Sequence, residues 1–347
     1  MNESRIWGVG TAEPPHVLPQ SDVRAFARGF FSRDLPHIDR LLQAFDNTGI
    51  DQRHLACPIT WYEQPHDFQE KNEVYRRVAL ETARDAACAA LERAGVSAPD
   101  LAAIVFVSST GISTPSLDSF LVQLLDLPRT IARVPIWGLG CAGGAAGLAR
   151  AADCVRSTGR PVLLVCVELC STTFMYDDRS KSNLIATALF GDGAAAVVVG
   201  PGGSGPELLG AHSLLLDDSE DVMGWDLRAG GLQVRFARSI PDIVRRVVPG
   251  FVEQCGIEIG ASADGFHHFV LHPGGAKVLA AYQDVLGVPR SRLEHAWSVL
   301  RCRGNMSSPT VLFVLERFLA ETQASGALGL LVGLGPGFSA EGVSFRW

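Results

Sequence analysis

An α/β fold built from two similar halves is what the sequence predicts, on three observations. Short apolar runs alternate with segments of helical period along nearly the whole chain. Landmarks recur at a fixed offset: Asp100 and Asp264 each precede an apolar run, Cys141 and Asn305 each open a helical segment, and both pairs lie 164 positions apart. The 347 residues, 47% hydrophobic and 19% charged, are enough to bury the core of such a double unit. Strand–helix–strand alternation further implies a largely parallel sheet with helical crossovers. The closing turns at Gly191 and Gly335 are only 144 apart, so the first half must hold about twenty extra residues, placed at 171–187. The halves divide as 1–205 and 206–347.

The elements follow in order. The stretch 6–56 reads as a short strand, a loop holding Pro14, Pro15 and Pro19, then helical pieces. Over 73–94, Val74, Val78, Ala79, Ala83, Ala86, Ala87 and Ala90 form one apolar stripe of an amphipathic helix that Gly95 ends. A buried strand at 101–107, a helix at 117–127, a short strand at 133–137, a helix at 143–156 and strands at 161–167 and 190–199 complete the first half. The second half reads as helix 241–254, strand 264–271, helix 276–286, strand 296–300, helix 309–321, strand 328–332 and a closing hairpin at 333–338.

Several functional classes are disfavoured by composition. A net charge of −7 argues against binding nucleic acid. The start of the chain lacks a basic segment followed by a long apolar stretch, and the apolar run 162–169 is too short to span a bilayer, so a cytoplasmic protein without a membrane span is expected. Eight cysteines (57, 88, 141, 154, 166, 170, 255, 302) show no C-x-x-C pair and no matching His/Cys pair at metal-ligand spacing. Free thiols, mostly buried, and no metal site are therefore expected.

Three residues can carry chemistry. Cys141 stands among glycines 138, 140, 143, 144 and 147, where an apolar run gives way to a helix. Unpaired N–H groups and the dipole at a helix start favour thiolate, and glycines let a carbonyl approach main-chain donors. The competing role is a small buried hydrophobe in a tight turn. Residues 138–143 also fit G-x-G-x-x-G, but the acidic residue that a dinucleotide site needs about twenty positions on is matched only by Glu168, 25 beyond Gly143. His272 follows an apolar strand and precedes Pro-Gly-Gly, where an imidazole can reach a cleft; His267 and His268 read as packing residues. Asn305 is either a turn or cap residue or an amide donor to a developing oxyanion. If the halves pack pseudo-symmetrically, the equivalent helix starts converge and bring Asn305 towards Cys141.

Cys141 in Gly-Cys-Ala-Gly-Gly, His272 in His-Pro-Gly-Gly, Asn305 in Gly-Asn-Met-Ser-Ser and the closing Gly-Leu-Gly-Pro-Gly-Phe at 333–338 together resemble the type III polyketide synthases, the chalcone synthase-like branch of the thiolase superfamily. The resemblance runs over nearly the whole chain. It implies a homodimer of five-layered αβαβα subunits, coenzyme A thioesters as substrates, and a Cys141–His272–Asn305 triad that needs no metal or bound cofactor. Cys141 would take a starter from an acyl-CoA, while His272 and Asn305 would stabilise the enolate formed as malonyl-CoA loses carbon dioxide. Claisen condensation and cyclisation would then give a pyrone or a phenolic ring.

By the same likeness Phe190 gates the coenzyme A tunnel and Val234 occupies a second gate position. Cys170, Thr173 and Ser307 line the initiation and cyclisation cavity. Trp225 stands where plant members have a small glycine, and Thr114 where many carry a methionine reaching into the partner's cavity. The segment 223–226 looks like bacterial members that extend fatty acyl starters into alkylpyrones or alkylresorcinols. Arg40 and Arg53 are candidate cations for the coenzyme A phosphates. The alternatives are an initiating ketoacyl synthase working with acyl carrier protein, whose histidine motif is usually H-Q-A-N, and a non-catalytic nucleotide-binding protein.

Overall fold

The computed structural model describes residues 3–32, 34–35 and 37–347. Its first half runs β1 (Ser4–Ala12), β2 (His16–Pro19), α1 (Gln20–Phe31), α2 (Ile38–Asp46), β3 (Gln52–Leu55), α3 (Ile59–Tyr62), α4 (Phe68–Ala94), β4 (Ala103–Val107), α5 (Asp118–Leu124), β5 (Ala132–Ile136), α6 (Gly143–Thr158), β6 (Val162–Leu169), α7 (Lys181–Leu189) and β7 (Asp192–Pro201). The second runs β8 (Glu207–Leu215), β9 (Met223–Arg228), β10 (Gly231–Phe236), α8 (Ile240–Glu258), β11 (Phe266–Leu271), α9 (Ala276–Leu286), α10 (Glu294–Arg303), α11 (Thr310–Leu319), β12 (Leu328–Gly335) and β13 (Ser339–Arg346).

Nine strands join in the order β11-β12-β13-β8-β1-β7-β6-β4-β5. Outward from the β1–β8 contact the two sides repeat: β1-β7-β6-β4-β5 on one, β8-β13-β12-β11 on the other. The duplication suggested by the 164-residue offset is thus a feature of the topology. β4 and β11 both follow a short 3-10 turn, at Ala98–Asp100 and Ala263–Gly265. The sheet is mixed, not largely parallel. β4 pairs in parallel with β5 and β6, and β11 with β12, but β1–β7, β6–β7, β12–β13 and β13–β8 are antiparallel. The connection from β12 to β13 is a tight turn, which can close only an antiparallel pair.

The counterpart of β5 is missing from the second half. The run 296–300, expected as a strand, lies inside α10, where Ala296, Trp297, Val299 and Leu300 are buried. Buried positions spaced one, three and four apart suit a helix, and a five-residue apolar run cannot be told from a strand by period alone. A second departure is the small β2–β3 sheet, formed within a stretch read as loop and helical pieces.

Helix α6 packs on β4 and β6 of the first half and on β12 and β13 of the second; α11 packs on β1, β7, β11 and β12. These two helices form a central layer, with α4 covering β1, β6 and β7 outside the first half-sheet and α8 covering β8 and β13 outside the second, α9 lying against α8. This is the five-layered αβαβα arrangement. A helix held between two sheets must be small or apolar all round. Accordingly α6 buries Gly143, Gly144, Ala145, Ala146, Gly147 and Leu148 in succession, and α11 buries 310–315 without a break. Helix α4 begins earlier than the stripe suggested, at a capping box in which Glu70 N–H donates to Asp67 at 2.9 Å and Asp67 N–H to Glu70 at 3.3 Å. His267 is exposed, not packed, while His268 sits edge-on to Phe318. Among the described residues no helix is long and apolar enough to cross a membrane.

Candidate active site

The start of α6 meets the start of α11. A Cβ on Gly144 would stand 2.3 Å from the Ser308 carbonyl oxygen, so only glycine permits this approach. Just upstream, Gly140 has φ +48°, a left-handed conformation that turns the chain out of β5 and presents Cys141. Cys141 keeps partial exposure, and its sulfur lies 3.9 Å from Asn305 Oδ1. The convergence expected from the duplication is present.

Asn305 is both a turn residue and a bridge. Its Oδ1 accepts from Ser307 N–H at 2.8 Å, and its Nδ2 donates to the Gly274 carbonyl at 3.2 Å. A donor on one side and an acceptor on the other fix the amide orientation. Gly274 belongs to the loop leaving β11, where Gly274 N–H bonds back to the His272 carbonyl at 3.0 Å and His272 N–H extends the ladder to Val332 at 2.9 Å. Asn305 therefore ties the cysteine turn to the histidine loop. His272 is 2% exposed, and neither ring nitrogen has a hydrogen-bond partner among the described residues.

Burial drives both reacting groups towards their neutral forms. The Cys141 thiol is pushed up to about 11, chiefly by desolvation and further by Glu168, while hydrogen bonds to Ser307 and Asn305 pull it back. Desolvation alone lowers His272 to about 3. Burial thus opposes the preference for thiolate that a helix start supplies. Cys141 sits in a 3-10 turn, Gly140–Ala142, that leads directly into α6.

The pocket residues divide. Phe190 pairs through its backbone with Asn305, and its ring lies 5.8 Å from Trp225 and 5.5 Å from Phe236. Cys170, Ala186, Phe190 and Val234 form one buried cluster with Trp225 and Phe236 against it. In the β9–β10 hairpin, Met223, Trp225, Leu227 and their cross-strand partners Phe236, Val234 and Leu232 put apolar residues on one face. Lys71 Nζ holds the hairpin tip by donating to Gly230 O at 2.9 Å and to Phe174 O at 2.7 Å.

Beside Phe190 lies a mostly apolar pocket lined by Val23, Phe26, Tyr62, Cys170, Thr173 and Val234 among others. Asn183, Ala186 and Thr187 of α7, within or beside the extra first-half segment, complete its wall. Ser307 is buried beside the Cys141 thiol.

Two sequence candidates fall elsewhere, and a third lies at the cavity wall in a role other than the expected one. Thr114 is exposed on the loop before α5 and does not line the cavity of its own chain. Arg40 is exposed on α2 with no ion pair among the described residues. Arg53, expected as a surface cation for phosphates, is 0% exposed and spends its donors on backbone carbonyls, because β3 passes beneath α7. Glu168 was considered only as a ribose ligand and is something else. It is wholly buried and accepts from Ser109 N–H (2.8 Å), Thr110 Oγ1 (2.8 Å) and Ser308 Oγ (3.0 Å), with desolvation raising it to about 7. Nothing in its sequence context separates it from an ordinary strand-end acid. Among the described residues no group of three or more His, Cys, Asp or Glu is placed to hold a metal.

Comparison with known proteins identifies the family. Residues 2–203 match the family model of chalcone and stilbene synthases, N-terminal domain, and 207–347 that of the C-terminal domain. A putative chalcone synthase of Bacillus subtilis is 41% identical, covering 99% of this chain and 98% of its own. A 1,3,6,8-tetrahydroxynaphthalene synthase of Streptomyces peucetius is 39% identical over 99% and 93%. The crystal structure of the 1,3,6,8-tetrahydroxynaphthalene synthase of Streptomyces coelicolor superposes with a TM-score of 0.93 at 31% identity, covering 100% and 99% of the two chains. The chain belongs to the chalcone and stilbene synthase family, the type III polyketide synthases, and is an acyltransferase-type condensing enzyme.

Proposed function

We propose that Cys141 is the nucleophile that accepts a starter acyl group from coenzyme A, with His272 and Asn305 completing the site. The observation that carries this is the Cys141–Asn305 contact at 3.9 Å, with the same amide tied to the His272 loop. The thiol proton passes to His272, the sulfur attacks the thioester carbonyl, and coenzyme A leaves with that proton. Malonyl-CoA then loses carbon dioxide. The electron pair of the broken bond becomes an enolate whose oxygen receives hydrogen bonds from the imidazole N–H and the amide N–H. The enolate carbon attacks the acyl-enzyme and releases the sulfur. Burial keeps the resting imidazole neutral, so one ring nitrogen carries a lone pair for the first proton, although the same desolvation weakens it as a base.

A fatty acyl starter, closing to an alkylpyrone or alkylresorcinol, is supported by the apolar lining beside Phe190. The likeness to tetrahydroxynaphthalene synthases favours a second reading, in which malonyl-CoA alone supplies every unit. Incubation with labelled malonyl-CoA, with and without a panel of acyl-CoAs of increasing length, decides between them by the mass of the products. Condensation that persists in Cys141→Ala would overturn the assignment.

A cytoplasmic location and a homodimer are part of this proposal, the latter supported by the exposed edge strand β5 and by Trp137 (57% exposed) and Ile112 (43%) beside the Thr114 loop. Sedimentation equilibrium tests the dimer. Arg40 remains the candidate cation for the coenzyme A phosphates.

A further inference from the structure

We infer that Arg53 is a positioning residue that fixes Asn305 and Phe190 through the C-terminal carbonyls of α7. Its Nη1 donates to Thr187 O and Phe190 O, both at 2.9 Å, and its Nη2 to Ala188 O at 2.9 Å and to Gln20 Oε1. Gln20 Nε2 in turn reaches Ala188 O at 3.1 Å and Thr48 Oγ1 at 3.0 Å. The last carbonyls of a helix lack intrahelical partners and attract a cation, and here one planar fork takes three of them.

The peptide groups left over face the catalytic loop. Leu189 O accepts from Asn305 N–H at 2.9 Å, and Gly191 N–H donates to Asn305 O at 2.9 Å. Segment 187–191 is thus clamped between the guanidinium and the backbone of Asn305. The fit has no slack: a Cβ on Gly191 would lie 3.3 Å from the Arg53 Cβ and 2.3 Å from the Arg303 carbonyl oxygen. Arg53 is 0% exposed, so water cannot substitute for the fork. Burial lowers it only to about 9, with Asp192 opposing the shift, so it stays charged at neutral pH. A slip of this clamp would move the Asn305 amide relative to the sulfur and the Phe190 ring relative to the cavity mouth.

The catalytic part of the inference rests on the proposed role of Asn305 in decarboxylation. Arg53→Lys keeps the charge and loses the fork; Gln20→Leu loosens the same fork without removing it. Val252→Ala, on the outer helix α8, is a destabilised control. With malonyl-CoA as probe, Arg53→Lys should lower kcat for carbon dioxide release by about tenfold or more while KM and acyl loading of Cys141 stay within about threefold. The pH midpoint of Cys141 alkylation by iodoacetamide should shift by roughly half a unit or more in Arg53→Lys and, to a smaller extent, in Gln20→Leu, but not in Val252→Ala.

If Arg53→Lys does not fold, Gln20→Leu decides. Unchanged release and alkylation in the folded variant would overturn the inference. So would a parallel fall in loading, release and folded fraction like that of the control. A wild-type protein that releases no carbon dioxide would instead sink the proposed function, and the alkylation midpoints would still judge Arg53.

Discussion

The sulfur of Cys141 lies 3.9 Å from the amide oxygen of Asn305, although 164 positions separate them in the chain. The contact joins the two halves at their pseudo-symmetric helix starts. It also gives Asn305 an accepting oxygen towards the thiol and a donating nitrogen towards the His272 loop.

Substituting Asn305 should therefore separate chemistry from folding. Asn305→Asp keeps the oxygen that accepts from Ser307 N–H and so keeps the turn, but replaces the donor by a negative charge. Malonyl-CoA decarboxylation, followed by release of labelled carbon dioxide, should fall about a hundredfold or more, as for loss of an oxyanion donor. Acylation of Cys141, read by intact mass, should fall far less. Equal losses in both would contradict the assigned role.

Burial of His272 sets a pH signature. Its folded-state value, about 3, lies below the ordinary 6.5, so the stability it contributes is present above pH 6.5 and is lost as pH falls towards 3. The full swing is on the order of 5 kcal/mol. In urea unfolding from pH 7 to 4 the wild type should lose stability faster than His272→Phe, which has no imidazole to protonate. His272→Phe should also slow alkylation of Cys141 at neutral pH by roughly tenfold, because the thiol loses its proton acceptor.

Glu168 behaves in the opposite sense. Its folded-state value of about 7 lies above the ordinary 4.5, so its stability is present below pH 4.5 and is lost as pH rises through 7. Glu168→Gln can keep the bonds to Ser109 and Thr110 and donate to Ser308. The stability difference between wild type and this variant should move by about 3 kcal/mol in favour of the variant between pH 4.5 and 8. Parallel stability curves would show that the carboxyl is not buried as described.

Val234 closes one side of the cavity beside Phe190. Val234→Phe should fill the mouth and cut kcat/KM for long acyl-CoA starters about tenfold relative to short ones. A preference unchanged with chain length would place the acyl chain elsewhere.

Much was legible in the chain itself. Periodicity identified helices such as α9 and the buried strands, because apolar spacing is set by local geometry. The equal offsets of Asp100/Asp264 and Cys141/Asn305 exposed the duplication, and four motifs together pointed to the family. The capping box at Asp67 and Glu70 is written in the sequence just upstream of the apolar stripe.

Tertiary structure decided the rest. Only packing turned 296–300 into helix α10 in place of a fifth strand, and only strand pairing made the sheet mixed. Sequence shows that Cys141 sits at a helix start; burial in the folded chain makes its thiol harder to ionise. Sequence shows an arginine at 53; the fold buries it beneath the end of α7, where its charge meets carbonyl groups and not phosphate. Residue type and spacing are local properties, whereas burial and hydrogen-bond partners arise from segments distant in the chain.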